Sequence, residues 1–162
     1  PTLSSAASDV YKRQDIEWFK QHWGRKIVLK GIQTIEDAKL SVQHGVDAIA
    51  LSNHGGRQLD DAPNPIDLVQ PVFNAVGGQV EIFCDGGIRR GSDIVKAIAL
   101  GADACMIGRP FLYGLGAAGE KGVDWVLNFL KEGMHQTMAL LGAKSLTDLN
   151  PDLIETRHKV RA

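Results

Sequence analysis

The chain has 162 residues, the size of one ordinary domain, and its 44% hydrophobic and 23% charged residues exclude general disorder. Lys plus Arg total 18 against 19 for Asp plus Glu, and this net charge of -1 removes the electrostatic basis for a nucleic-acid partner. No apolar run approaches the roughly 20 residues of a membrane-spanning helix, and two cysteines, Cys84 and Cys105, read as buried free thiols rather than a disulfide framework.

Residues 1–14, PTLSSAASDVYKRQ, show neither a helical nor a strand period and lack the apolar centre of a secretory signal. A disordered or non-native leader is expected there. DIEWFKQHW follows as a short amphipathic helix, with Ile16, Phe19 and Trp23 on its apolar side. Four apolar runs then predict strands: KIVLKG at 26–31, VDAIALS at 46–52, QVEIFCDGG at 79–87 and ADACMIG at 102–108. Their near-continuous apolarity suits strands buried on both faces of a parallel sheet. Helices are predicted between them. TIEDAKLSVQHG carries a Thr34 cap with Asp37 three residues on and stops at Gly45. PIDLVQPVFNAVGG is interrupted by Pro71, and GSDIVKAIALG opens at Ser92 and stops at Gly101. Beyond the last strand, GEKGVDWVLNFLKEGMHQTMALLG sets Val123, Val126, Leu127, Leu130, Met134, Met138 and Leu141 on one core-facing side, with Gly142 as the stop. SLTDL predicts a short capped helix, and residues 155–162 form a basic tail too short to imply nucleic-acid binding.

Alternating strands and helices make this an α/β protein of parallel crossover units. Shifted by 56 positions, the stretch 30–53 aligns without gaps on 86–109, with six identities in 24 positions. These are Gly31/Gly87, Ile32/Ile88, Asp37/Asp93, Gly45/Gly101, Asp47/Asp103 and Ala48/Ala104. The repeated unit is a pair of βα units, a submultiple of an eight-stranded barrel. A whole (β/α)8 barrel takes about 250 residues. The expected fold is therefore the C-terminal half of a TIM barrel, four parallel βα units over residues 15–154.

In such architectures the ligand sits at the C-terminal ends of the strands. Those ends read Lys30–Gly31, then SNHGGR at 52–57, then DGGIR at 85–89, then Gly108–Arg109. One lysine, one histidine and three arginines converge on one rim, which prepares it for an anion. In DGGIRRGSD, Gly86 and Gly87 let backbone approach a ligand and Arg89 adds a fork of donors. Gly108 and Arg109 precede Pro110 at a helix start, the second half of a phosphate cradle. In SNHGGRQLD, His54 can accept a proton at neutral pH, and Arg57 can hold a carboxylate bidentately. His22, His44, His135 and His158 lack such company.

These strings resemble the FMN-dependent 2-hydroxy acid oxidases and dehydrogenases, a family that includes glycolate oxidase, lactate oxidase, flavin-linked L-lactate dehydrogenase and mandelate dehydrogenase. SNHGGRQLD is similar to the family's signature loop. LKG, DGGIRRGSD and GADACMIGRPFLYGLGAAGEKGV are similar to its flavin-binding strand ends. The resemblance runs from about Asp15 to about Ile154. It implies FMN as cofactor, His54 as active-site base and Arg57 as clamp for the substrate carboxylate. It also implies a cofactor-binding set of Lys30, Ser52, Asp85, Gly86, Gly87, Ile88, Arg89, Gly108 and Arg109. Within that set, Lys30 would lie beside flavin N1 and the C2 carbonyl and Ser52 against the ring. Asp85 would bind the ribityl hydroxyls, and Arg89, Gly108 and Arg109 the phosphate.

The expected function is oxidation of a small L-2-hydroxy acid to a 2-oxo acid, with this chain as an inactive fragment of the enzyme. The expected electron acceptor is oxygen, a quinone or a cytochrome, with no metal, no nucleic acid and a homo-oligomeric parent. The expected location is cytoplasmic, with membrane association of the parent left open. Two other readings stand beside it: a non-catalytic phosphate-binding half-barrel, and a related flavin enzyme acting on a peptide-derived amine.

Overall fold

The computed structural model describes residues 13–155. Most of the expected leader and nearly all of the basic tail lie outside them. Helix α1 (Arg13–Trp23) leads into β1 (Val28–Ile32), followed by α2 (Ile35–Gln43), β2 (Ala48–Ser52) and α3 (Pro65–Val76). Then come β3 (Glu81–Asp85), α4 (Gly91–Ala99), β4 (Ala104–Met106) and α5 (Arg109–Leu141). The four strands form one parallel sheet in the order β1-β2-β3-β4. An unbroken sequential order is that of a barrel wall; a doubly wound sheet would reverse direction at a switch point.

Strand alternation divides the sheet into two faces. Ile49, Leu51, Ile82 and Cys84 point to the helices and pack with Ala38, Val69, Val72 and Val76 in the main core. The opposite face carries Ala48, Ala50 and Ser52 beside their register partners Glu81, Phe83 and Asp85. Only β2 is buried at every position; β1 and β4 are partly exposed. The expectation of four strands buried on both faces is thus corrected. Among the described residues β1 and β4 are edges, and four strands enclose the inner face only on one side.

The sequence repeat has a structural meaning. Asp47 and Asp103 each accept from the backbone N–H at the start of the preceding strand, Ile27 and Ile82, at 2.7 Å. Each returns its own N–H to the same residue's carbonyl. Asp37 and Asp93 both tie down helix N-termini: the Asp37 amide donates to Thr34 Oγ1, and Asp93 Oδ2 accepts from Arg89 and Arg90 N–H. Asp47 and Asp103 thus do the same job in both copies, while Asp37 and Asp93 serve the corresponding helix start through different bonds.

Several expected boundaries move. Helix α1 begins at Arg13, inside the expected leader, and of its apolar side Ile16 is buried while Phe19 and Trp23 are exposed. Helix α3 runs through Pro71, which lies on its exposed side. Helix α4 starts at Gly91 rather than Ser92 because Gly91 packs against α5. The long α5 is broken at Ala118 and Gly119, so a short helix opening at Arg109 precedes the main one. On the main one Val126, Leu130 and Met138 are buried, but Leu127 and Leu141 face outward. Gly142 ends it in the left-handed conformation, as expected, and SLTDL forms a 3-10 turn at Leu146–Asp148. Cys84 is buried and Cys105 half-buried, both as free thiols.

Candidate active site

An open cavity of about 510 Å³ lies at the carboxyl ends of the strands. Ten of the eleven expected site residues line it: Lys30 from β1, His54 and Arg57 after β2, Asp85 through Arg89 after β3, and Gly108 and Arg109 after β4. Four of these side chains, Lys30, Arg57, Arg89 and Arg109, are cationic, against the one carboxylate of Asp85. The excess of positive charge suits an anion.

Ser52 is the eleventh, and the structure moves it. It is fully buried and does not line the cavity. Its hydroxyl donates to Asp85 Oδ2 at 2.6 Å and accepts from Lys30 Nζ at 3.0 Å and from His54 N–H at 3.1 Å. One donor and two lone pairs are all that a hydroxyl has, so Ser52 is saturated. It is a hub beneath the site, whose hydroxyl holds Lys30, Asp85 and the start of the His54 loop together. Lys30 completes the triangle by pairing with Asp85 at 2.5 Å. Burial alone would push the Asp85 carboxyl up. The hydrogen bonds from Lys30 and Ser52, with the charges of Lys30 and His54, outweigh burial and hold it below the usual carboxylate range.

The His54 loop is a 3-10 turn, His54–Gly56, capped by Asn53, whose Oδ1 accepts from Gly55 N–H at 3.1 Å. His54 itself has φ +54, a region that costs a residue with a Cβ and that recurs at functional sites. Gly31 explains how the ring is accommodated. A Cβ there would lie 2.8 Å from His54 Nε2, so only a bare α-carbon at the end of β1 leaves room for the imidazole. The register break after Lys30, with Gly31 at φ +97, turns the chain away at that point. Arg57 is exposed on the same rim.

Across the cavity, Gly108 caps the start of α5 and Arg109 opens it. A Cβ on Gly87 or Gly108 would meet no protein atom within 4 Å, so both glycines border open space. Sequence reasoning missed the apolar wall made by Met106, Ile107 and Leu112. Its signal was available, since Met106 sits two residues before Gly108 with its side chain on the inner face of β4. His22 and His44 lie away from this rim: His22 stacks on Trp18, and His44 pairs with Glu17 at 3.7 Å. His158 lies outside the described residues. Among the described residues no cluster of His, Cys, Asp or Glu has metal-binding geometry, and no helix is long and apolar enough to cross a membrane.

The chain matches the family described as FMN-dependent dehydrogenase over residues 2–156. It is 51% identical to 2-hydroxyacid oxidase 2 of Mus musculus over 155 residues, covering 96% of this chain and 44% of that one. It is likewise 51% identical to pre-mycofactocin synthase of Mycobacterium tuberculosis (strain ATCC 25618 / H37Rv), covering 85% of this chain and 35% of the relative. Among solved structures, mandelate oxidase superposes with a TM-score of 0.83 at 42% identity, over 86% of this chain and 42% of that one. The chain thus spans about two fifths of the length of the curated relatives it matches. Its four strands are consecutive strands of the TIM barrel of these oxidases. With a match across nearly all of its length, the chain belongs to the FMN-dependent dehydrogenase family.

Proposed function

We propose that this chain forms the C-terminal half of an FMN-dependent oxidoreductase that converts L-2-hydroxy acids to 2-oxo acids. The observation that carries the proposal is the convergence of His54, Arg57, Lys30, Arg89 and Arg109 on one cavity at four consecutive strand ends. The residues suit FMN. Arg89 and Arg109 offer donors for a phosphate, and Gly87 and Gly108 leave the space beside them clear. Lys30 and Asp85 offer a cation and an acceptor further along, for the flavin pyrimidine and the ribityl hydroxyls. FMN, when bound, accepts the two electrons of the oxidation.

Arg57 grips the substrate carboxylate through two parallel N–H donors and so fixes the carbon that is oxidised. His54 accepts a substrate proton as the alcohol becomes a carbonyl. Lys30 is held by Ser52 and Asp85, so its charge is fixed in place to stabilise negative charge that develops beside it. The reoxidising acceptor (oxygen, a quinone or a cytochrome), the homo-oligomeric state and a cytoplasmic location belong to the same proposal. The equal identity to pre-mycofactocin synthase carries a second reading, a family member whose substrate is not a 2-hydroxy acid.

The test uses the complete polypeptide that carries this segment, loaded with FMN and mixed anaerobically with L-lactate, glycolate or L-mandelate. Bleaching of the flavin by one of them is expected. His54→Ala should lower kcat by on the order of 10²–10⁴-fold. Arg57→Lys should raise KM and also lower kcat, since it keeps the charge and loses the fork. Bleaching by none of these acids would favour the second reading. If both variants changed only KM, His54 would lose its assignment as base.

A further inference from the structure

Arg109 and Gly55 are 54 positions apart, yet Arg109 Nη2 donates to the Gly55 carbonyl at 3.2 Å. A Cβ on Gly55 would lie 3.4 Å from the same nitrogen, so the guanidinium rests against the loop backbone. Gly55 is therefore held at both ends, its N–H by Asn53 and its carbonyl by Arg109. Its neighbour is His54, an exposed residue with φ +54, whose backbone N–H bonds to Ser52 and whose imidazole sits over Gly31. A loop so held follows its tether.

A guanidinium carries five N–H donors in a rigid fork, and the bond to Gly55 uses one of them. The others remain available to an anion in the cavity that Arg109 also lines. The carbonyl offers the guanidinium only a dipole, whereas an ionised phosphate offers a full opposite charge and two oxygens for the fork, so the phosphate would dictate how the fork is turned. We propose that Arg109 is a positioning residue that joins the phosphate end of the cavity to the His54 loop. Anion binding at its free donors reorients the guanidinium and, through the Gly55 carbonyl, the His54 imidazole. The proposal rests on the reading of Arg109 as a phosphate ligand and adds a second task for the same side chain.

The test is an NMR titration of the 162-residue chain with inorganic phosphate, which has no ring to shift the histidine signal directly. The His54 Cε1–H resonance is identified by its loss in His54→Gln. Phosphate should move that resonance in the wild type. Arg89→Ala should weaken phosphate binding but give the same movement at saturation. Arg109→Ala should start from a displaced resonance and show no movement at saturation, although Arg89 still binds phosphate. An equal movement in Arg109→Ala would mean that phosphate acts on His54 through its field alone, and would overturn the bridge. Phosphate binding to the wild type with a still His54 signal would also overturn it, leaving the phosphate reading intact. No binding to the wild type at all would remove the phosphate reading and the bridge with it.

Discussion

At the scale of single residues, the site depends on two features that its reactive groups do not themselves supply. Gly31 is one. Gly31→Ala would put a methyl 2.8 Å from His54 Nε2 at a backbone φ of +97, and the imidazole tip is the part able to give way. We expect a stability loss of about 1–2 kcal/mol and a displaced His54 resonance. An unmoved resonance would show that the ring is not seated there. The other is Asp85, whose carboxyl is held low by Lys30 and Ser52 against the upward push of burial. A depressed acid stabilises the fold above its unfolded pKa of about 3.9, and that contribution is lost as pH falls through the lower folded value. Urea unfolding of the wild type and Asp85→Asn should show a constant gap at neutral pH that closes below about pH 4. A gap that grew toward acid would contradict the pairing. Burial likewise pushes the Cys84 thiol up to about 11, helped by the Asp85 charge. Burial pushes Cys105 up to about 12, helped by Cys84 and Asp93. Neither should react with iodoacetamide at pH 8 in the folded chain, and both should react in denaturant. Rapid labelling of Cys84 in the native state would place its strand closer to solvent than the packing allows.

At the scale of elements, helix α4 meets α5 backbone to backbone at Gly91, beside the packed side chains of Val95, Ala99 and Met138. A Cβ on Gly91 would lie 2.0 Å from the Met134 nitrogen and 2.2 Å from the Gly133 carbonyl carbon. Backbone atoms cannot rotate away, so Gly91→Ala must separate the helices, at a cost of about 1–3 kcal/mol or more. Gly133→Ala would bring a Cβ only to 3.3 Å from Gly91 N, and alanine's better helix propensity of about 1 kcal/mol offsets that crowding. Thermal unfolding should therefore rank Gly91→Ala well below Gly133→Ala; the reverse order would reject this packing. Elements of this kind mark how far the sequence could be read. Strand ends, helix stops and the 56-residue repeat were legible because glycine and capping aspartates act locally, within a few residues. The start of α4 at Gly91 and the outward turn of Leu127 were not, since both are set by which helix lies alongside. The place of Ser52 at a strand end was legible, but its burial was not. Only the register of Ser52 against Asp85 shows that its hydroxyl is used up below the cavity.

At the scale of the whole molecule, the described chain is one wall of a barrel. Strands β1 and β4 each have an unpaired edge among the described residues, and the inner face leaves Val28 47% and Met106 36% exposed. The cavity shares this openness, with cationic groups and backbone on one side and solvent on the other. A phosphate needs only the part of the rim that is present, since Arg89, Arg109 and the bordering glycines come from adjacent strand ends. Oxidation needs more, because a reacting carbon must be held against the flavin with water kept out. The 162-residue chain by itself should therefore bind FMN more tightly than riboflavin, by roughly one to two powers of ten, as charge-assisted bonds to phosphate are worth about 1.5–3 kcal/mol each. It should show no bleaching of that flavin by L-lactate, glycolate or L-mandelate under anaerobic conditions. Equal affinity for the two flavins would remove the phosphate assignment of Arg89 and Arg109. Bleaching at an enzyme-like rate would instead mean that copies of the chain join through the free edges of β1 and β4. The enclosure that one copy lacks would then come from a second.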